Sequence, residues 1–360
     1  MYIKPGSHAV CRRVLLVAGC LTLLLGAALW LRECQVNQWR VAGGSAGQAQ
    51  SSSRKPQHSL GQFNTENLAV PREQILSGGP GKDGIPALTT PKLLSVKDAA
   101  FLRDTDRVVM VDIGGDTRAY PLSILNWHEV VNDVVSEVPI AVVYCPLCDS
   151  ATVVDRRIAG KTLEFGVSGL LLNSNVLFYD RTDNALWSQA GLVAISGPQA
   201  GRSLKHLPWR ITTAAVLRQE HPDARVLDVD TGHRRDYSRN PYASYFMNDQ
   251  LMFPVAREDK RLSTKARVVG VKRGDASRAY PVDLIVSQPG RTLSDTWGEK
   301  RLVLTADGQG GVSVVEMPDD ALVVYTFWFA WAAFHPGTDL YAPSSARPPQ
   351  GGDHVAPNRF

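Results

Sequence analysis

Cysteine is scarce in this sequence and unevenly spread. Of its five cysteines, Cys11, Cys20 and Cys34 lie near the N-terminus, and the rest of the chain holds only Cys145 and Cys148. That distribution excludes a disulfide-dense scaffold, and the lack of a second Cys pair excludes a four-sulfur zinc knuckle. A dominant charge is missing as well: Lys+Arg 39 stand against Asp+Glu 35, a net +4. Residues 1–60 carry seven basic side chains and one acid, or +6, which leaves the remainder at −2. A faintly acidic body lacks the basic face that phosphate-backbone binding needs, so no nucleic-acid partner is expected. The Gly/Pro-rich run Gly78–Gly84 lacks the GxxxxGK[ST] spacing of a phosphate loop and reads as a turn. Asp230-Thr231-Gly232 has no second Asp-Thr-Gly or Asp-Ser-Gly, which excludes an aspartic-protease dyad.

What is present is ordinary for a folded protein: 44% hydrophobic and 21% charged residues over 360 positions, enough for one large unit or two smaller ones. Val14 to Leu31 is uncharged and long enough for a helix to cross a bilayer core of roughly 30 Å. Lys4, Arg12 and Arg13 precede it, so the positive-inside rule puts 1–13 in the cytoplasm and the body outside. No small-x-small cleavage site follows the apolar run. Val17-Ala18-Gly19-Cys20 resembles a lipoprotein site, but apolar residues continue past the cysteine where a polar tether is expected. The expected organisation is therefore a single-pass inner-membrane anchor at 14–31, a flexible Gly/Ser/Gln-rich linker at 32–62 and a body in the periplasm or extracytoplasmic space. The membrane is the one partner this implies, and a tail at 346–360 is expected to be disordered.

From Phe63 onward short β-branched or alternating runs dominate. They predict strands at 107–113, 139–145, 151–156, 162–167, 175–180, 225–229, 265–272, 301–305, 312–317 and 321–327. Helices are predicted at 121–131, 212–219 and 281–286, giving a β-rich α+β class. A duplication organises these pieces. Val111 to Pro121 recurs as Val271 to Pro281, each a strand, a Gly-Asp turn, a second strand ending Arg-Ala-Tyr, and a Pro that opens a helix. His221-Pro222 and His335-Pro336 form a second matching pair. Two units follow, 63–262 and a degenerate 263–345, and only the first carries cysteine.

That pair, in Tyr144-Cys145-Pro146-Leu147-Cys148, is the chemical anomaly. Exported neighbouring thiols form a disulfide, a metal site or a redox couple. Strand-like residues follow Cys148, which predicts a strand-to-strand turn rather than the helix N-terminus of a thioredoxin-type thiol. A metal there needs a further ligand, and His128 is the nearest candidate. It would be a third ligand for copper or zinc, or a base for Cys145. On a helix His128 shares a face with Asn132, and Glu129 with Asp133, so Glu129 or Asp133 would orient the imidazole. A second polar cluster, Ser168, Asn173, Asn175, Asp180, Trp187 and Gln189, is either a pocket wall or internal bracing. The alternative function is a non-catalytic binding module stiffened by a Cys145–Cys148 disulfide; a Cys145–His128 hydrolase is the third.

Many of these motifs occur together elsewhere. Asp83-Gly84-Ile85-Pro86, Ala119-Tyr120-Pro121, Trp127-His128-Glu129, Tyr144 to Cys148, Phe165 to Gly169, Asn173-Ser174-Asn175, Leu186 to Gln189, Asp230-Thr231-Gly232 and Phe253-Pro254 follow one another in order. In this the chain resembles domain-of-unknown-function family 3179, a prokaryotic family, over roughly Pro71 to Ile285. The resemblance implies an exported or membrane-anchored protein and no established activity. One departure is Asp149, where the family more often has Gly.

Overall fold

The computed structural model describes residues 60–307, 311–318 and 320–342. The expected segment 1–13, the anchor 14–31, most of the linker 32–62 and the tail 346–360 lie outside the described residues. Among the described residues no helix is long and apolar enough to cross a membrane. The body is β-rich α+β. Its strands are β1 (Ile75–Ser77), β2 (Leu88–Thr89), β3 (Leu93–Ser95), β4 (Arg107–Ile113), β5 (Asp116–Pro121), β6 (Val130–Val135), β7 (Val138–Cys145), β8 (Ser150–Asp155), β9 (Arg157–Ile158), β10 (Lys161–Thr162), β11 (Phe165–Leu172) and β12 (Asn175–Asp180). There follow β13 (Leu186–Ser188), β14 (Val193–Ala194), β15 (Arg210–Thr213), β16 (Arg225–Leu227), β17 (Arg267–Arg273), β18 (Ala276–Pro281), β19 (Thr292–Trp297), β20 (Lys300–Ala306), β21 (Val312–Glu316), β22 (Leu322–Phe327) and β23 (Asp339–Leu340). Among the described residues five short α-helices interrupt them: α1 (Leu122–His128), α2 (Ala214–Glu220), α3 (Ala243–Phe246), α4 (Val282–Ser287) and α5 (Trp328–Phe334).

Two eight-stranded sheets carry the architecture, ordered β19-β20-β21-β15-β4-β5-β16-β3 and β2-β6-β7-β8-β22-β17-β18-β23. The hairpins β4–β5 and β17–β18 share a register, with Val108 opposite Pro121 and Val268 opposite Pro281. The first hairpin turns on Gly114 and Gly115, both at positive φ as a two-residue reversal requires. Pro121 and Pro281 then open α1 and α4, where a missing N–H costs nothing. Each hairpin also builds the same polar contact: Arg118 and Tyr120 both donate to Asp133 at 2.8 Å, and Arg278 and Tyr280 both donate to Asp295 at 2.6 Å.

The meanders after the hairpins cross over. β6–β8 follow the first hairpin in sequence yet join the sheet of the second, where Ala151 of β8 pairs Tyr325 of β22. β19–β21 follow the second hairpin and join the first, through Val312 opposite Ile211. Segments 63–262 and 263–345 therefore share both large sheets, and one apolar core holds Val109, Val111 and Tyr120 together with Val269, Val271 and Tyr280. A five-stranded sheet, β1-β11-β12-β13-β14, packs beside them.

Three local expectations change. The helix predicted at 121–131 stops at His128, because Glu129 turns the chain with φ 56° and ψ −37°. Asn132 and Asp133 therefore lie on β6, and neither the shared face of His128 and Asn132 nor that of Glu129 and Asp133 forms. Asn173 and Ser174, at φ 50° and 60°, are the turn between β11 and β12, so Asn173 and Asn175 do not line one side of an extended chain.

One carboxylate ties the sheets together. Asp149, in the turn between β7 and β8, accepts from Arg107 of β4 at 2.9 Å, from Arg267 of β17 at 2.7 Å and from Tyr144 at 3.0 Å. Its side chain is buried. Burial alone would raise its pKa, but Arg107 and Arg267 hold it below the ordinary carboxylate value. Asp149→Asn keeps the shape and the tolerance of φ 47° but removes the charge. It is expected to cost about 3 kcal/mol of unfolding free energy, read as a lower urea midpoint at unchanged slope.

Candidate functional site

The cysteine turn joins two buried central strands of one sheet. β7 ends at Cys145 and β8 begins at Ser150, and within the turn Cys148 N donates to Cys145 O at 3.2 Å. Both cysteines are buried free thiols rather than a disulfide. Their sulfurs converge on one acceptor, the carbonyl of Ser174, at 3.7 Å from Cys145 and 3.2 Å from Cys148. The turn is held from outside by Phe327 N and Thr326 Oγ1, both donating to Cys148 O, and by Tyr245 OH donating to Leu147 O. Burial, then the neighbouring Cys145 sulfur, pushes the Cys148 thiol well above its usual pKa. It is a protonated thiol at neutral pH rather than a preformed thiolate.

A neutral polar cluster lies next to the sulfurs. Gln189 Oε1 accepts from Asn175 Nδ2 at 2.6 Å and from Ser150 Oγ at 2.9 Å, while its amide nitrogen donates to Ser150 O. Asn175 and Gln189 therefore do come together beside the cysteines. The other members brace the fold. Ser168 Oγ donates to Leu177 O, Asp180 accepts from Trp187 Nε1 at 2.9 Å, and Asn173 accepts from Ala256 N. The Asn132 amide donates to Phe165 O and accepts from Phe165 N, and Asp133 accepts from Arg118 and Tyr120, so neither orients an imidazole.

His128 faces another way. Its Nδ1 lies 2.7 Å from Pro86 O, which can only accept, so the proton sits on Nδ1. Nε2 then accepts from Tyr237 OH at 2.7 Å, and Tyr237 is in turn 2.5 Å from Thr231 Oγ1. Both ring nitrogens are thus in use, and burial lowers the pKa to about 4. Among the described residues no group of three or more His, Cys, Asp and Glu side chains is placed to hold a metal ion. The copper or zinc set of Cys145, Cys148 and His128 is not assembled.

Glu129 follows His128 directly in the chain. It occupies a backbone conformation that non-glycine residues rarely adopt, at the end of α1, where strain of this kind is kept only if the surroundings enforce it. The enforcing contact is its carbonyl, which accepts from Tyr144 N at 2.7 Å, one residue before Cys145. Burial raises the carboxyl pKa to about 8. The side chain lines a cavity of about 380 Å³ with Leu147, Leu171, Val176, Tyr242 and Phe253, and is the only acid there. Gly169 belongs to the same wall with φ 72°; a Cβ on it would lie 2.0 Å from Pro80 O. Burial, with Glu129 and Cys145 both nearby, raises the Tyr242 phenol as well. An apolar cavity, one neutral carboxyl and two thiols thus share one neighbourhood.

Sequence reasoning missed Tyr242, Ser174 as the sulfurs' acceptor, and Tyr237 with Thr231 as partners of His128. Phe253 and Thr231 stand in motifs that had already drawn notice, Phe253-Pro254 and Asp230-Thr231-Gly232. Tyr242 lies in an irregular stretch with no periodicity to signal it.

Residues 82–321 match the model of a protein family of unknown function, DUF3179. The chain belongs to that family. The match begins later than the resemblance from Pro71 and runs further, to the residue before β22, so it adds the meander β19–β21 that follows the second hairpin. No curated protein and no solved structure matches the chain.

The carboxyl of Glu129 makes a signed prediction. A carboxyl of pKa about 4.5 unfolded and about 8 folded keeps its proton only in the native state between those limits, so its contribution to stability falls as pH rises through that window. Glu129→Gln removes this loss. The variant is expected to match the parent near pH 4.5 and to exceed it increasingly up to pH 8, measured by urea unfolding across pH.

Proposed function

We propose that this chain is a membrane-anchored extracytoplasmic thiol-redox protein. In this reading 14–31 is the single N-terminal anchor, 32–62 joins it to the body, and the body is made of two internally repeated units. The common hairpin register, the paired Arg–Tyr–Asp contacts and the reciprocal crossing of the meanders support the repetition. The first unit carries Cys145 and Cys148 as the redox couple, and the second, without cysteine, completes the sheet behind it. The body sits in the periplasm or extracytoplasmic space, where a dithiol can cycle.

The observation that carries this reading is the convergence of two free sulfurs on Ser174 O, in a turn whose Leu147 lines the same cavity as Glu129 with its carboxyl raised to about 8. The reaction balances with a disulfide as the co-reactant. As one cysteine sulfur attacks the incoming S–S bond, its thiol proton passes to the ionised form of Glu129, which hands that proton to the departing sulfur. The second cysteine then displaces the other sulfur, closing Cys145–Cys148. The second thiol proton follows the same route, so two protons and two electrons pass to the substrate, which leaves as two thiols, and Glu129 ends in the state in which it began. A carboxyl near pKa 8 suits both directions of this relay at neutral pH. The apolar cavity favours a small hydrophobic disulfide or an apolar peptide loop. His128, fixed as a neutral Nδ1–H tautomer between Pro86 and Tyr237, orients the end of α1 from which Glu129 projects. The competing assignment is a copper or zinc ion held by the two thiolates, for which His128 has no nitrogen free.

The test equilibrates the purified full chain in glutathione buffers of graded potential, traps thiols by alkylation and resolves peptides by mass. Cys145 and Cys148 are expected to change together with the 29.6 mV-per-decade slope of a two-electron couple. Cys148→Ser should leave Cys145 unable to form an intramolecular bond. Both thiols staying reduced over the whole range, or one equivalent of copper or zinc that is lost in Cys145→Ser, would overturn the reading.

A further inference from the structure

We infer that the space between the two large sheets is a second binding site, for a small neutral apolar molecule that presents a carbonyl oxygen. A cavity of about 250 Å³ opens there, walled by Trp209, Ile211 and Val312 on one side and by Val269, Val323 and Tyr325 on the other. It draws on β15 and β21 of one sheet and on β17 and β22 of the other, apart from the cavity that Glu129 lines. Its volume is below the roughly 300–1,000 Å³ of sites for drug-sized molecules, so it suits a one-ring compound.

Three features narrow the ligand. The walls are mainly apolar, and Val315 and Met317 beside them are 65% and 37% exposed, giving the cavity an apolar mouth. The charged groups at the rim have other partners: Arg210 pairs with Glu220 and Glu316 with Arg301. His206 accepts the indole N–H of Trp209 at 2.8 Å, and burial lowers its pKa to about 4, so it is neutral. Both rim charges are thus offset by an opposite charge, while Nε of Arg210 is buried without a partner and is a donor in search of an acceptor. The unmet demand is for an acceptor. Tyr325 is 5% exposed and its hydroxyl is buried without a hydrogen-bond partner. Nε and Nη2 of Arg107, whose guanidinium lies 5.5 Å from the Tyr325 ring centre, are also buried and unpartnered. A buried polar group without a partner is costly enough to need an occupant. The Arg107 nitrogens can only donate, and the Tyr325 hydroxyl, its pKa raised by burial, keeps a proton to donate, so a carbonyl oxygen is the ligand atom that serves both.

The test uses acetophenone and its hydrocarbon counterpart ethylbenzene, titrated into the full chain by ligand-observed NMR. Acetophenone is expected to bind with a Kd on the order of 1 mM or lower and about tenfold tighter than ethylbenzene. Tyr325→Phe keeps the shape and removes only an unpartnered hydroxyl, so it should weaken acetophenone about tenfold and leave ethylbenzene unchanged. Val314→Trp, at a half-buried wall position, should abolish both while circular dichroism shows the fold retained; should it not fold, the Tyr325→Phe comparison decides alone. Absent binding of acetophenone to the folded parent, or equal affinity of acetophenone for parent and Tyr325→Phe, would overturn the inference. The second result would mean that ordered water satisfies the hydroxyl.

Discussion

The structure depends on the buried ion cluster of Asp149 with Arg107 and Arg267. Each arginine begins the first strand of one hairpin, and the acid follows Cys148 directly, so one carboxylate fixes both large sheets and the turn that carries the sulfurs. Such a cluster is a poor source of net stability, because desolvating three charges offsets most of their attraction. Its effect is positional. With Asp149 anchored, Cys148 O meets Phe327 N and Thr326, Leu147 O meets Tyr245, and the sulfurs are left facing Ser174. In this chain Asp149 meets the turn's conformational need and binds the two arginines as well.

Two consecutive residues at the end of α1 show how burial alone can assign opposite roles. His128 and Glu129 are both removed from water, and desolvation drives each toward its neutral form: the imidazole down to about 4, the carboxyl up to about 8. For His128 the neutral state is reinforced by directed bonds on both nitrogens, which fix the tautomer and leave no lone pair for a metal or a thiol. For Glu129 the only large cause is burial, so its proton is exchangeable near neutral pH. A strained backbone turn presents it to the apolar cavity instead of to the helix face that His128 uses.

Much of the strand content was legible in the sequence, and the reasons are local. The runs at 107–113 and 175–180 are β-branched or aromatic and end in Gly or charged turns, and both strands have these bounds. The Gly-Asp turn followed by Arg-Ala-Tyr-Pro marks both hairpins through residue chemistry alone. The break at Glu129 was illegible, because nothing in Trp127-His128-Glu129-Val130 announces a positive φ; the tertiary bond to Tyr144 imposes it. A possible helix ending at His335-Pro336 had only that terminator to mark it, because Trp328 to Phe334 is buried all round and so has no amphipathic period. At the site, the cysteines and the nearby Asn175 and Gln189 stood out. The partners of His128 did not, since Pro86 lies 42 residues before it and Tyr237 109 after. The crossing of the meanders between sheets is likewise a matter of long-range pairing that no window of sequence contains.

The central claim, that Cys145 and Cys148 form a working redox pair inside an unchanged fold, is most directly tested by peptide mapping through one full cycle of oxidation and re-reduction. The account predicts a single Cys145–Cys148 link that forms with loss of two hydrogens, reopens with dithiothreitol and leaves the near-ultraviolet circular dichroism of the buried Trp and Tyr side chains intact at both stages. A link that forms only after unfolding, or oxidation that proceeds to sulfinic acid without a link, would contradict it.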